Sequence, residues 1–593
     1  MSNHRPGRPG TSSPTVVVVG QGAAGLTAAL TAAQQGARVV SMSKVRPGNA
    51  TCTIYAGGGF TLGVEGMSTE EHRKMTYETG RLMNVPELLD VFSRDAPSII
   101  DFLRDAGVPF TIRRGGIGIR PDPAFPLLGG KALTDGLHNA CLGLGVTFVS
   151  NVVAMRLLAS DGGISGVECI DHSSGEVVTF AADAVLLATG GGGALYERTD
   201  NPRRITGDGY RLALDASCHL LDMEFVQFYP MGFDTPGGAH WFMDLGVVDR
   251  ARVTGPDGRE FLKEMLRKEG ISSGREANLL ARDKCSVAIA LENEKGQCLL
   301  HLEDIPKEEW RSSVHYRSVA RMFPPSSPPW KGPVPLNPIE HYFPGGVAIG
   351  TEGQTEIPGL FACGEVTGGV DGANRVGGNA LTSCVLFGMK AGRSAARHAK
   401  GEDVATVASV GAVGTVAKTG VAGSNMPGAT GSVGPEMRLA AAPLELPAVR
   451  PAKEWLDLWR GNAGAVAPGA EPVLPGGSAR AIAPSDLRVL LKAFSGRYLL
   501  PVRRGHLLLQ AQTDIDSLRV LLERQAVKDS RDLLLAAENL SLWYTAALVS
   551  QGALVRRESR GAHYRTDFPA EDPAWRKHIY MGRDGGTLSS ETS

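Results

Sequence analysis

Three glycines in Gly20-Gln21-Gly22-Ala23-Ala24-Gly25 have the spacing that holds a pyrophosphate. Gly20 allows a tight turn, Gly22 lets backbone approach the phosphates, and Gly25 lets a helix pack closely on a strand. The chemistry needs a strand ahead of the glycines and a helix behind them. Thr15-Val-Val-Val-Val reads as a buried strand, residues 26–35 read as a helix, Gly36 stops that helix, and residues 38–43 read as the next strand. The helix N-terminus then offers free N–H groups and a positive dipole end to the phosphates. Among 75 glycines the bare motif is weak, and a Gly-rich turn without a ligand is the bland alternative. The strand–turn–helix–strand context favours dinucleotide binding. The acidic residue expected for a ribose is missing, and Ser43-Lys44 stands in its place.

Further positions could serve the same ligand. Residues 43–59, with Cys52, Thr53, Ala56, Gly57 and Gly58, are small enough for backbone to approach a flat ring, the alternative being an ordinary loop. Residues 184–188 form a second apolar strand, ending in Thr189-Gly190-Gly191. Asp208 precedes a helix and could be a helix cap. Arg282 opens another helix, where a surface salt bridge with Asp283 is the structural alternative to any chemical role.

Composition bounds the class. The chain has 593 residues, enough for roughly two to four domains. Its net charge of -1 gives no reason to expect nucleic acid or an anionic membrane as partner. The eight cysteines are scattered without a C-x-x-C, which fits free thiols in a reducing, cytoplasmic setting and places any iron–sulfur cluster on another chain. No metal-ligand pattern stands out. Residues 1–14 read as a disordered tail, not a signal peptide. No run of about 18 apolar residues is present, so no membrane insertion is expected. Ser68 and Glu71 have capping-box spacing, and Pro97 suits a first helical turn.

The Cys52–Gly59 run resembles the flavin-contacting segment of the succinate dehydrogenase and fumarate reductase flavoprotein family, which includes aspartate oxidase. That family also reads Ser-Lys after its second strand. Its respiratory members attach FAD to a histidine where this chain has Cys52. The resemblance therefore implies non-covalent FAD, a cysteinyl thioether being the alternative. It implies FAD contacts at Gly20, Gly22, Ala23, Ala24, Gly25, Ser43, Lys44, Cys52, Thr53, Ala56, Gly57, Gly58, Thr189, Gly190, Gly191, Asp208, Glu365, Arg375, Ala380 and Leu381. The family's Phe-His-Pro-Thr-Gly corresponds to Phe228-Tyr229-Pro230-Met231-Gly232, so Tyr229 and Met231 replace a carboxylate-binding end. Tyr229 can still donate one hydrogen bond. The family's Thr-Glu-x-x-Arg element maps onto Asp244 and Val247 in one register, or Asp249 and Arg252 in another; the threonine is absent in both. Arg282 matches the catalytic proton donor or acceptor, and His341 a substrate-binding histidine. Arg375, in Gly372-Ala-Asn-Arg375-Val-Gly-Gly-Asn-Ala380, matches the arginine that grips a carboxylate, for which its fork is suited. Asp371 replaces a common family histidine. Residues 557–569 resemble a signature that folds back near the flavin domain, as a docking strap or as part of the site.

These readings give an α/β protein with a bipartite Rossmann-like FAD-binding domain (15–234 and 346–400), an inserted α+β capping domain (235–345) and a C-terminal helical domain (486–593). Residues 401–485 read as a low-complexity Ala/Gly/Pro insertion, linker or docking element. The implied activity is exchange between a C–C single and double bond next to a carboxylate. The small-molecule carboxylate substrate is expected to be other than a simple dicarboxylate, and an iron–sulfur or other electron-transfer partner chain is implied. Aspartate-oxidase-like oxidation of an amine or alcohol, and a non-catalytic flavin electron-transfer subunit, are the rivals.

Overall fold

The computed structural model describes residues 13–160, 163–235, 240–407, 443–463 and 481–593. The expected N-terminal tail lies almost wholly outside them, as does most of the low-complexity stretch.

Thr15–Val19 is the central strand of a five-stranded parallel sheet. Arg38–Met42 and Ala184–Leu187 flank it, and Thr147–Val149 and Leu360–Ala362 form the edges. Val16, Val17 and Val18 are fully buried, as an unbroken apolar run in a parallel sheet must be. Leu360–Ala362 enters this sheet only after the chain has built the cap, which makes the dinucleotide-binding unit bipartite. Helices Ala23–Gln34 and Asn379–Ala399 cross very closely. A Cβ on Gly388 would lie 2.8 Å from the Ala24 carbonyl oxygen, and one on Gly392 would lie 2.4 Å from that of Ala28.

The cap is built on an antiparallel sheet in which Gln227–Asp234 pairs with Val334–Tyr342. Its apolar core is separate and runs from Tyr229 to Ile339. Because these two strands run antiparallel, with Tyr229 opposite Ile339 and Gln227 opposite Tyr342, the cap's first and last residues meet at one end. Tyr229 and His341 are thereby brought to a ring separation of 5.4 Å.

Helices Pro484–Tyr498, Gly505–Glu523 and Ser530–Val555 follow. The last has an 18-residue window of mean hydropathy 1.3, of which 94% is buried inside the protein, so it is a core helix. The structure adds elements to the expected layout in two places. The C-terminal part is not only helical: Ile579–Asp584 and Thr587–Thr592 form a hairpin that pairs with Leu220–Leu221. Its strands are short and only partly alternating, which hid them. Within 401–485, Leu444–Glu445 pairs with the hairpin, and Ala452–Gly461 is a helix with Trp455 and Trp459 buried. Averaging composition over a long Ala/Gly window concealed that amphipathic turn. The Ser68–Glu71 capping box forms as expected.

Candidate active site

A cavity of about 1090 Å³ runs from the glycine turn to the cap. Its first half is a nucleotide cradle. Gly20, with φ of 116°, allows the turn, and a Cβ on Gly25 would lie 2.0 Å from the Gly20 carbonyl oxygen. Gly25 is therefore a packing residue that does not line the cavity, whereas Gly20, Gly22, Ala23 and Ala24 do. Helix Ala23–Gln34 starts at Gly22 with no side-chain cap and no acid in its first turn, leaving its dipole end to a ligand. Thr53 accepts from the Ala23 N–H at 3.0 Å and ties the 51–59 segment to this turn. A Cβ on Gly57 would meet nothing within 4 Å; like Ala56 and Gly58, Gly57 borders the cavity. Thr189, Gly190, Ser43, Ala380 and Leu381 also line it. Gly191 instead lies against the Glu365 carboxylate, where an added Cβ would come within 2.5 Å.

Asp208 is not a helix cap, since Gly207 occupies that position. Its carboxylate pairs with Lys44 Nζ at 2.8 Å and borders the cavity. Lys44 also meets Glu538 at 3.1 Å, a fully buried acid on the long C-terminal helix that Arg204 and Arg488 neutralise from the other side. Sequence reasoning missed Glu538, because only the tertiary fold brings it there. Cys52 lines the cavity, and its Sγ donates to Asn201 Oδ1 at 2.7 Å. Burial pushes this thiol well above its usual range, so it is protonated and a poor nucleophile. Glu365 accepts from the Phe343 N–H at 3.2 Å, and burial raises its carboxyl to about 7.

The other half of the cavity carries the reactive side chains. Arg282 is the first residue of helix Arg282–Asn293 and is 7% exposed. It does not pair with Asp283, which is taken by Arg81 at 2.6 Å. Arg282 Nε donates to Asn278 Oδ1 at 3.0 Å, and its guanidinium lies 4.9 Å from the Tyr229 ring centre. Its Nη1 is buried with no partner among the described residues. Burial lowers its pKa to about 10, and the nearby Arg375 adds to that effect. Arg375 is 4% exposed, lies 4.4 Å from the Tyr342 ring centre, and has its own buried Nε, which has no partner among the described residues. Arg375 Nη2 donates to His341 Nε2 at 2.8 Å, while His341 Nδ1 meets Asp200 at 2.6 Å. This makes His341 the neutral Nδ1–H tautomer, and burial lowers its pKa accordingly.

Asn278 joins the cap residues. It accepts from Tyr229 Oη at 2.7 Å and donates to Asp244 Oδ2 at 2.8 Å. Tyr229 Oη in turn accepts from the Leu245 N–H at 2.9 Å. Tyr229 does donate its one hydrogen bond, but to Asn278, which leaves no hydrogen for a ligand. Of the two acid registers, Asp244 is the one joined to Arg282. Asp249 reaches the cavity wall, but its carboxylate accepts from the Gly274 N–H at 2.8 Å. Arg252 lies outside the cavity, paired with Asp304 at 2.8 Å, because the turn Leu245–Asp249 carries the chain away to the surface. Met231 is likewise not in the cavity; it is fully buried in the cap core, in the stretch between Tyr229 and Gly232 where the strand's register shifts. Asn278 and Asp200 were not foreseen. The only sequence signal for Asn278 is its place four residues before Arg282.

Two family models match the chain. The FAD binding domain covers residues 15–381, and the fumarate reductase flavoprotein C-terminal model covers 491–591. The chain belongs to the succinate dehydrogenase/fumarate reductase flavoprotein family. This flavoprotein is an FAD-dependent oxidoreductase. It is 28% identical over 591 residues to a fumarate reductase (CoM/CoB) chain of Methanothermobacter marburgensis, covering 96% of this chain and 97% of that one. A fumarate reductase flavoprotein subunit of Mycobacterium tuberculosis is 28% identical over 98% of this chain and 96% of its own. An L-aspartate oxidase of Streptomyces coelicolor is 32% identical over 65% of this chain and 69% of its own. In structure, a point mutant of the Escherichia coli quinol fumarate reductase FrdA superposes with a TM-score of 0.77 at 25% identity, covering 98% of this chain and 96% of that one. FAD fits the glycine cradle of this flavoprotein, where the close turn at Gly20 and open Gly57 leave room for a nucleotide.

Proposed function

We propose that this flavoprotein interconverts a C–C single and double bond next to a carboxylate, on a substrate whose far end is apolar or neutral. One observation carries the reading. Arg282 Nη1 and Arg375 Nε are buried donors on two guanidinium groups, both lining one cavity and both without an acceptor among the described residues. Buried charged donors are costly unless paired, so the arrangement fits an anion. FAD, when bound, supplies the two-electron chemistry. Arg375 holds the carboxylate with its fork, and His341, neutral and fixed by Asp200, orients that fork. Arg282, lowered by burial, delivers or takes the proton at the carbon that changes hybridisation. Asn278 aims Arg282 and Asp244, and exposed Asp244 faces solvent for proton exchange.

The wall around Tyr229 supports a monocarboxylate, although Arg250, paired with Glu309 at 3.4 Å, and Arg275 also line the cavity. Tyr229, Trp241 and Phe242 wall the cavity, with Phe242 4.6 Å from the Tyr229 ring and 5.8 Å from that of His341. His315 borders it too, and burial keeps that imidazole neutral. A second carboxylate there would face Asp244 and find Tyr229 Oη already engaged. We place the FAD non-covalently, because Cys52 is protonated and bound to Asn201. The electrons pass to or from a partner chain, since this chain has no C-x-x-C to hold a cluster. Eight free thiols support a cytoplasmic setting.

The test is turnover of crotonate by FAD-loaded protein reduced with a viologen dye, without oxygen. The reading expects dye oxidation that depends on crotonate and is lost in Arg282→Gln. Peroxide formation from an amino acid in air, with no crotonate turnover, would instead favour oxidase chemistry.

A further inference from the structure

Arg282 and Arg375 lie on different parts of the chain, so something must hold one against the other. Arg81 does this from outside the cavity. It follows helix Thr69–Thr79, and both Arg81 and Leu82 adopt left-handed backbone, with φ of 55° and 61°. Non-glycine residues keep such a conformation when their surroundings over-determine it. Here the surroundings are explicit. The Ala373 N–H donates to the Gly80 carbonyl at 2.9 Å, and the Val85 N–H donates to that of Gly369 at 2.8 Å. Asn84 Nδ2 donates to the Val370 carbonyl at 2.7 Å. The loop that carries Arg81 is thus bolted to residues 369–373, which lead directly into Arg375.

The Arg81 side chain reaches the other way. Its Nε and Nη2 grip Asp283 at 3.0 and 2.6 Å, and Nη2 also reaches the Leu280 carbonyl at 3.3 Å. Asp283 is 3% exposed in its side chain and is the immediate neighbour of Arg282. The C-terminal strap closes the arrangement. Arg560 Nη1 donates to the Arg81 carbonyl at 3.1 Å, and the Ala562 N–H donates to that of Ala373 at 2.8 Å.

We propose that Arg81 is a positioning residue that latches the Arg282 helix of the cap to the Arg375 segment of the FAD domain. The Arg81–Asp283 pair does two things. It fixes one guanidinium relative to the other, and it occupies the one carboxylate adjacent in sequence that could otherwise quench Arg282. The strap residues Arg560 and Ala562 hold the latch from behind, which gives that C-terminal signature a positional role. The inference rests on the reading of Arg282 as the proton-transfer group.

The test compares FAD-loaded parent, Arg81→Gln, Arg81→Lys and Asp283→Asn. In Arg81→Gln the misplaced donor lowers kcat for crotonate reduction roughly 100-fold with FAD retained. The alkaline limb of its pH profile moves up, because the released Asp283 pairs with Arg282 and favours the charged form. Iodide quenching of flavin fluorescence increases as the cap loosens. Arg81→Lys, which keeps the charge and part of the fork, returns kcat to within about tenfold of the parent. Parental kcat, alkaline limb and quenching in Arg81→Gln would overturn the latch. Should that variant lose FAD, the same parental behaviour in Asp283→Asn would overturn it. Iodide quenching needs no turnover. If no variant reduces crotonate, unchanged quenching defeats the latch, whereas increased quenching upholds it and leaves the Arg282 chemistry as the failed part.

Discussion

The Tyr229 hydroxyl donates to Asn278 Oδ1 at 2.7 Å, and the same oxygen receives Arg282 Nε at 3.0 Å. One amide therefore spends the hydrogen that a substrate would need and aims the guanidinium that serves it. Replacing Asn278 by Ala frees the tyrosine and unties the arginine. Hydrogen bonds to charged groups are worth about 1.5–3 kcal/mol. Asn278→Ala is expected to lower kcat roughly 10- to 100-fold on that basis. Steady-state kinetics alongside FAD content checks this, since the amide lies outside the nucleotide cradle.

The pH profile carries a sign. Burial lowers Arg282 to about 10. In the reducing direction Arg282 must be protonated, so activity holds below that value and falls as pH climbs through about 10. In the oxidising direction it must accept a proton, so activity rises over the same interval. Opposite limbs in the two directions are the expected result of paired pH–rate measurements.

Asp371 should cost stability at high pH. Burial raises its carboxyl to about 6, while its hydroxyl partner Tyr342 and the nearby Arg375 pull the other way. A carboxyl raised above the usual value of about 3.9 gains protons on folding. Its stabilising contribution is complete below about 4 and disappears as pH rises through about 6. Asp371→Asn keeps an acceptor for Tyr342 and removes the charge. The apo variant should exceed the parent by on the order of 2 kcal/mol at pH 8 and match it near pH 4. Denaturant unfolding at both pH values reads the difference.

Two glycines in the cradle should fail differently. Gly25→Ala puts a methyl 2.0 Å from the Gly20 carbonyl oxygen, so apo stability and FAD binding fall together. Gly57→Ala adds its methyl to open space beside the cavity, without a left-handed backbone to strain. The apo protein should unfold within about 0.5 kcal/mol of the parent while FAD affinity drops. Thermal unfolding of the apo forms and FAD titration separate the two.

What could be read from the chain was whatever is local. The glycine turn, Ser43-Lys44, Cys52 and the run through Glu365 and Arg375 each carry their geometry within a few residues, and the cavity gathers them. Contacts that depend on distant segments had no such signal. Glu538 reaches Lys44 from the C-terminal helix, and Asp200 reaches His341 from outside the cap strand. Arg81 reaches Asp283 across the domain boundary. Arg252 was placed by its spacing from Asp249, but a single turn at Leu245–Asp249 redirects the backbone, and spacing along a loop does not specify direction.

A preference for a monocarboxylate rests on Tyr229, whose hydroxyl is committed to Asn278. The direct measurement is anaerobic reoxidation of the reduced flavin by fumarate and, separately, by crotonate, followed by absorbance in a stopped-flow instrument. Faster reoxidation by crotonate, with fumarate slow at matched concentration, is the predicted result. Rapid reoxidation by fumarate would contradict it and show that Tyr229 and its neighbours accept a second carboxylate.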